Sequence, residues 1–428
     1  MIRRLTNPLG LFLLIWGAAV ILYLGGMHQG MFPSPLPMTV AMILLNVVTF
    51  TLGYLTWTLF RGLDPSPADI ETIPARRLTP QAMGRMLKFT LAMGVAALAL
   101  EMQRVLAIAS RFDTNWRDLI NDPEQFRIRI VAFITESLYQ TSGTVMLLSI
   151  TSSLFSIGFV LLGVLLHTDR TRKKYLYATS FLAVSLAIGL IHLSRYEMTS
   201  NFLYMVFAYV VASRMDQPTD RIPRRSVSAR RLVVPVAGVV LLFFLIDVLL
   251  HKSGEYGLSS RLQGVLFHFY WYIAGPLAAF NEFIANFSGD HQWGQSMFLP
   301  LYKWLCRFHL AQEVEVNYYG EKVLVPYMSN VYTYLRNFYE DFGVLGVAVV
   351  PYVLGWTSAA IREKARRHLQ YLNLYLVLLL FILFSFYNYY LSSNQIYLQI
   401  LFGFVLFRYR IPDGQQDSML RRYQESST

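Results

Sequence analysis

The chain reads as an all-α, polytopic membrane protein with about ten transmembrane helices and one large external loop. Three observations lead there. Of the 428 residues, 55% are hydrophobic and only 15% charged, and the mean hydropathy is +0.40, a balance outside the range of soluble domains. Apolar runs of membrane-crossing length recur along the chain. Lys and Arg fall almost entirely in the short segments between those runs.

About 20 apolar residues cross a ~30 Å hydrocarbon core, and ten stretches qualify or nearly so. Leu9 to Gly26 follows the basic flank MIRR like the core of a signal peptide, but no small-x-small cleavage site follows, so it reads as a retained first span. Met38 to Phe60, Met86 to Ala109 and Ser137 to Leu166 come next, then Tyr175 to Ser194, Thr199 to Ser213 and Leu232 to Leu250. Val344 to Ile361, Leu372 to Leu391 and Ile396 to Phe407 complete the set. The fourth carries no charge over 30 residues, longer than the core requires at ~1.5 Å per residue, and is expected to tilt or protrude.

Cytoplasmic loops carry the excess of Lys and Arg in a polytopic protein. With the N-terminus inside, inside segments hold 25 of these residues, Lys88 at the inner end of the third span counted among them, outside segments hold 11, and Arg104 is left within a span. The basic loops HTDRTRKK, SRMDQPTDRIPRRSVSARR and REKARRH then all lie inside, as do both termini. Keeping REKARRH inside requires that VLFHFYWYIAGPLAAFNEFIANF not cross, so this stretch is expected in or on the external interface. The resulting organisation is seven spans over residues 1–250, the large external loop over 251–342, three spans over 343–410 and a cytoplasmic tail over 411–428.

The net charge of +11 is explained by topology. It forms no single patch of the kind nucleic acid requires, which excludes that partner class. Cys306 is the only cysteine, so neither an intrachain disulfide nor a cysteine metal site can form. Phosphate-loop, HExxH, GxSxG and DxD patterns are lacking, and the external His251, His268, His291 and His309 have no metal-ligand spacing. No metal site and no cofactor are expected.

The external face carries the chemistry. Arg336 and Glu340 are i, i+4 neighbours at the mouth of the eighth span, which suits a local ion pair as well as a site, and Asp341 stands where it could start the next helix. Arg195 is the only Lys or Arg in the short turn IHLSRYEMTSNF, where snorkelling to headgroups competes with a functional role. Arg261, Glu136 and Glu197 lie near the same face. Glu101 and Arg104, three apart inside the third span, are expected to pair, because ionisable groups at that depth are costly. Arginine binds phosphate oxygens in bidentate fashion. Together with the tyrosines of NYYG and PYMSNVYTYLRNFY it suits a lipid diphosphate that carries a glycan.

The pattern N-x-Y-T-x-L-R-x-x-Y-x-D-F-G-x-x-G at Asn330–Gly346 resembles the Wzy-type oligosaccharide repeat unit polymerases, the O-antigen polymerase family. FYWYIAGPLAAFNEFI followed by WGQSMFLPLYKWL, and the Ser194-Arg195 turn, resemble it too, although a glycine expected before Ser-Arg is absent. The resemblance implies a GT-C-like glycosyltransferase of the bacterial inner membrane with a periplasmic active site. Its donor and acceptor would both be undecaprenyl-diphosphate-linked oligosaccharides, and a polysaccharide chain-length regulator would be a further partner beside the lipid bilayer. Transfer would be metal-independent, with Arg195 and Arg336 stabilising the diphosphate leaving group and Arg261 third. Asp341, Glu340, Glu197 and Glu136 compete as base, Asp341 being favoured by motif position. Tyr332, Tyr339 and Asn330 would bind substrate. The alternatives are an O-antigen ligase and a transporter or flippase of lipid-linked oligosaccharides. A transporter would call for charge at mid-depth along the spans and a repeated half, and neither is visible.

Overall fold

A computed structural model describes residues 7–63, 80–110, 143–168, 172–191, 195–215, 261–310, 323–368 and 370–407. Its helices are α1 (Pro8–His28), α2 (Pro37–Leu63), α3 (Pro80–Ala109), α4 (Gly143–Thr168), α5 (Lys173–Ile191) and α6 (Arg195–Met215). They continue with α7 (Arg261–Asn286), α8 (Leu299–Arg307), α9 (Leu335–Arg367), α10 (Gln370–Phe384) and α11 (Asn394–Phe407). Between α8 and α9 a two-stranded hairpin pairs β1 (Val323–Leu324) with β2 (Met328–Ser329) in antiparallel register. The protein is an all-α membrane protein in its architecture. Six of these helices, α1 to α5 and α9, are long and apolar enough to cross a membrane. The expected seventh span, Leu232 to Leu250, lies outside the described residues.

The first helices separate a buried side from an exposed apolar side. On α1, Leu11, Phe12, Trp16, Ala19 and Tyr23 recur at helical spacing and are buried, while Leu13, Leu14, Ile21 and Leu24 stay exposed. In water that exposed set would be a liability, but against hydrocarbon it is a solvated face. The lack of charge in the fourth run has a packing cause. Every residue of α4 from Thr151 to Gly163 is buried, because α3, α6 and α11 all pack on it. A helix surrounded by protein needs no charge on any face.

The ninth expected span is shorter than the sequence suggests. α10 ends at Phe384, not at Leu391, and at ~1.5 Å per residue its 15 residues cover about 22 Å. α11 has 14 residues. The two are tied side by side, since Asn373 Nδ2 donates to the Gln399 carbonyl at 2.8 Å and Gly403 packs on the Asn373 side chain. The turn between them, Ser385 to Ser393, is held to the bundle at Ser385, Tyr389 and Tyr390, which are buried, while Asn388 is exposed. Trp16 Nε1 donates to Ser385 Oγ at 2.9 Å, and Ser153 Oγ donates to the Gln395 carbonyl at 2.8 Å. Irregular backbone so placed requires protein or water around it.

The aromatic stretch expected on the interface is α7, and along much of its length it packs on protein. Ala274, Leu277, Ala278, Ala279 and Phe280 have no exposure. Tyr270 donates to the Leu22 carbonyl at 2.9 Å, and Asn281 Oδ1 accepts from Leu36 N and Thr39 Oγ1, both at 2.8 Å. α7 therefore braces the α1–α2 connection. At the other end of the bundle, Asn7 Oδ1 accepts from Tyr54 Oη at 2.7 Å and Arg362 Nη1 donates to Tyr54 Oη at 2.7 Å, while Arg61 pairs with Glu363. The start of α1 and the ends of α2 and α9 thus meet, three places that the charge count puts on one side. The expected intraspan pair also forms, with Arg104 Nη2 3.4 Å from Glu101 Oε1.

A candidate anion site at the head of α9

The segment that leads into α9 is anchored before any functional side chain is placed. Trp271 Nε1 donates to the Val325 carbonyl at 3.1 Å, fixing the hairpin to α7. Tyr334 has no exposure: its amide donates to the Ser385 carbonyl at 2.9 Å and its hydroxyl to Asn46 Oδ1 at 2.7 Å. From that buried point the chain turns helical at Leu335. At Gly343 the helix breaks, with φ 59° and ψ −144°, a region open essentially to glycine alone. The chain then folds back so closely that a Cβ on Gly346 would stand 2.2 Å from the Phe338 carbonyl oxygen. Both glycines of the sequence pattern thus have a backbone reason.

Arg336 lies on the short first limb of α9. Its guanidinium carbon is 4.3 Å from the Tyr332 ring centroid and 5.1 Å from that of Phe283, so aromatic surface from two elements covers it. Its side chain is only 11% exposed. Nη2 is 3.7 Å from Glu340 Oε1, a salt bridge beyond hydrogen-bond length. Nε is buried and has no acceptor among the described residues. Two more buried polar atoms in this part of the chain also lack partners among those residues, Thr333 Oγ1 and Gln292 Oε1. Buried polar atoms are rarely left unsatisfied, and a stacked guanidinium with an open N–H is a receptor for a planar or tetrahedral oxyanion.

The two carboxylates have different work. Glu340 accepts from Gln292 Nε2 at 3.3 Å and Ser296 Oγ at 3.2 Å, and Ser296 Oγ in turn accepts from Asn337 Nδ2 at 2.6 Å. It is an orienting partner for Arg336. Asp341, favoured on motif position as a base, has no exposure. Its Oδ1 and Oδ2 accept the backbone N–H groups of Ser296 and Met297 at 2.9 and 2.7 Å. Nor does it start a helix, since it sits in the last turn before the break. It pins the segment before α8 to the limb that carries Arg336. Charge-assisted hydrogen bonds of this kind contribute about 1.5–3 kcal/mol, so Asp341→Asn is expected to destabilise the fold by about 2 kcal/mol, read as a lower unfolding temperature in lipid nanodiscs. An unchanged temperature would free Asp341 for a chemical role.

The remaining sequence-picked residues divide clearly. Tyr332 stacks on Arg336, and Tyr339 packs with Phe287 at 5.5 Å and His291 at 6.0 Å. Asn330 is exposed just after β2. Glu197 lies in the first turn of α6, half-buried. Arg195 and Arg261 are the first residues of α6 and α7, and Glu136 lies outside the described residues. Residues within two positions of Arg195 and Arg336, and one eleven positions along α7 from Arg261, meet at the turn after α10. Tyr196 packs on Phe384 at 5.1 Å and Tyr390 at 5.7 Å, Tyr272 of α7 stacks on Tyr387 at 5.2 Å, and Tyr334 is bonded to Ser385.

Sequence reading missed Phe283, Gln292, Ser296, Asn337 and the whole SFYNYY turn. The last left a trace, three tyrosines, an asparagine and a serine interrupting an otherwise apolar run. No protein-family model, no curated protein and no solved structure matches the chain significantly.

Proposed function

We propose that the protein is a glycosyltransferase that joins undecaprenyl-diphosphate-linked oligosaccharide repeat units, a polymerase of the Wzy type. The observation that carries this reading is the buried, ring-stacked Arg336 whose Nε–H lacks an acceptor among the described residues. A diphosphate oxygen completes such a site. In the reaction the bond from the donor sugar's anomeric carbon to the diphosphate oxygen breaks, and its electron pair leaves with the oxygen. A hydroxyl of the acceptor sugar forms the new glycosidic bond and gives up its proton. Arg336 opposes the charge that develops on the leaving diphosphate, where electrostatic stabilisation has its greatest effect.

Arg195 and Arg261 enter the same proposal through the placement of their backbones at the starts of α6 and α7, both leading to the turn after α10. Glu197, in the first turn of α6, takes the acceptor proton in this reading, because Asp341 is committed to backbone N–H groups and Glu340 to Arg336. The tyrosines of that turn suit sugar faces. In this reading the charge count puts both termini of a ten-span chain inside and the site outside, and the resemblance implies that the membrane is the bacterial inner membrane and the site periplasmic. The meeting of Asn7, Tyr54 and Arg362 at the opposite end supports it.

The test is transfer by purified protein given a lipid-diphosphate-linked repeat unit in the presence of chelator, with products resolved as a ladder on a gel. A ladder is expected. Movement of the substrate across a vesicle membrane without any new bond would make the protein a transporter. Transfer of the glycan onto lipid A core alone would make it a ligase.

A further inference from the structure

α8 is amphipathic in the wrong sense for a helix in water. Its inner side carries Leu299, Tyr302, Cys306 and also Lys303, whose pKa burial lowers from the ordinary lysine value. Its outer side, continued on both flanks, exposes Phe298, Leu301, Trp304, Leu305 and Phe308. Trp293 before it and Leu310 after it are each 73% exposed. A soluble loop with a lysine turned in and this apolar set turned out would be an aggregation site. Two residues in left-handed backbone bracket the segment, Trp293 with φ 50° and His309 with φ 58°. That conformation costs bulky side chains free energy, and at Trp293 it is maintained by the bond from its amide to the Asp341 carbonyl at 3.1 Å.

We propose that the segment from Trp293 to Leu310 seats in the lipid surface, with α8 lying along the membrane interface. Continuity points to lipid rather than protein as the occupant. The Trp293 ring packs edge-on against Phe342 at 6.3 Å, immediately before Val344 and Leu345, which are exposed at the head of α9, a helix long and apolar enough to cross a membrane. The outer side of α8 therefore extends the lipid-facing side of α9. Its 9 residues reach only about 13 Å, too short to cross, and tryptophans at that level are the usual interfacial anchors. Because Asp341 and Glu340 bond Ser296, Met297 and Gln292, the seat of α8 sets the height of Arg336 relative to the lipid surface. The seating itself does not depend on what Arg336 binds.

The experiment uses full-length protein in lipid nanodiscs with Cys306→Ser, spin-labelled through Leu301→Cys or Leu305→Cys, with Asp290→Cys in the exposed loop as the aqueous reference. Collision of the label with oxygen, which concentrates in lipid, is compared with collision with a water-soluble nickel complex. Oxygen is expected to dominate at 301 and 305 and nickel at 290. Nickel dominating at all three would overturn the proposal. Shielding from both reagents at 301 and 305 would also overturn it, and would assign this face to a second copy or another protein. Should either variant fail to fold, Phe298→Cys reports on the same face. None of these readings requires transfer activity, so failure here is distinguishable from failure of the polymerase reading.

Discussion

Arg336→Ala is expected to reduce polymer formation by about 10²- to 10³-fold, the usual loss when one donor to a developing oxyanion is removed, while folded protein remains at its normal level. The fold should survive because Tyr334, Leu335 and Phe338 on either side have no exposure and hold the limb in place without Arg336. Arg336→Lys separates charge from geometry. An ammonium keeps the charge but has no planar face to set over the Tyr332 ring and cannot offer two parallel N–H groups, so it should recover little of the activity. The rate in single-turnover conditions checks this. Near-normal turnover with lysine would mean that Arg336 acts as a point charge, and normal turnover with alanine would remove it from the site.

The second large effect is expected at Gly343. Alanine there meets two penalties: a backbone at φ 59° and ψ −144°, which costs a residue with a Cβ about 1–3 kcal/mol, and a Cβ 2.8 Å from His291 Nε2. The neighbour is a side chain on the segment that bonds Glu340 and Asp341, so giving way disturbs the site itself. Gly343→Ala should therefore lower the unfolding temperature and the activity together. Gly17→Ala is the control, since a Cβ there meets nothing within 4 Å and should leave both unchanged. Equal behaviour of the two variants would mean that the break at Gly343 is not needed.

What the sequence revealed follows from how local each signal is. α1, α2 and α3 were readable as spans because a lipid-facing helix is apolar on its exposed side as well as its buried one. The Arg336–Glu340 pair was readable because i, i+4 proximity is intrinsic to a helix. The end of α10 was not, because Ser385 and Asn388 interrupt the Phe384–Leu391 stretch too briefly to separate a helix that continues from a chain that turns. The partner that distinguishes Arg336 from a snorkelling arginine is Phe283, 53 positions upstream, and no local pattern announces it. The anchoring of Asp341 was illegible for the same reason. Its partners are backbone N–H groups of Ser296 and Met297, which every residue type but proline could supply.

Glu101 and Arg104 show the converse. Their pairing was expected from spacing alone and occurs at 3.4 Å, because two ionisable groups in one span have few other partners. Where helix geometry sets the neighbour, sequence suffices. The anion site instead gathers the first limb of α9, the end of α7 and the segment before α8, and only the folded chain brings these together.

The most direct test of the central claim is the affinity of prenyl diphosphate for the protein in lipid nanodiscs, compared between wild type and Arg336→Ala. Loss of a charge-assisted hydrogen bond contributing about 1.5–3 kcal/mol corresponds to roughly ten- to a hundredfold weaker binding, and that is the result expected. Equal affinity in the two proteins would contradict the assignment of Arg336 as the diphosphate receptor.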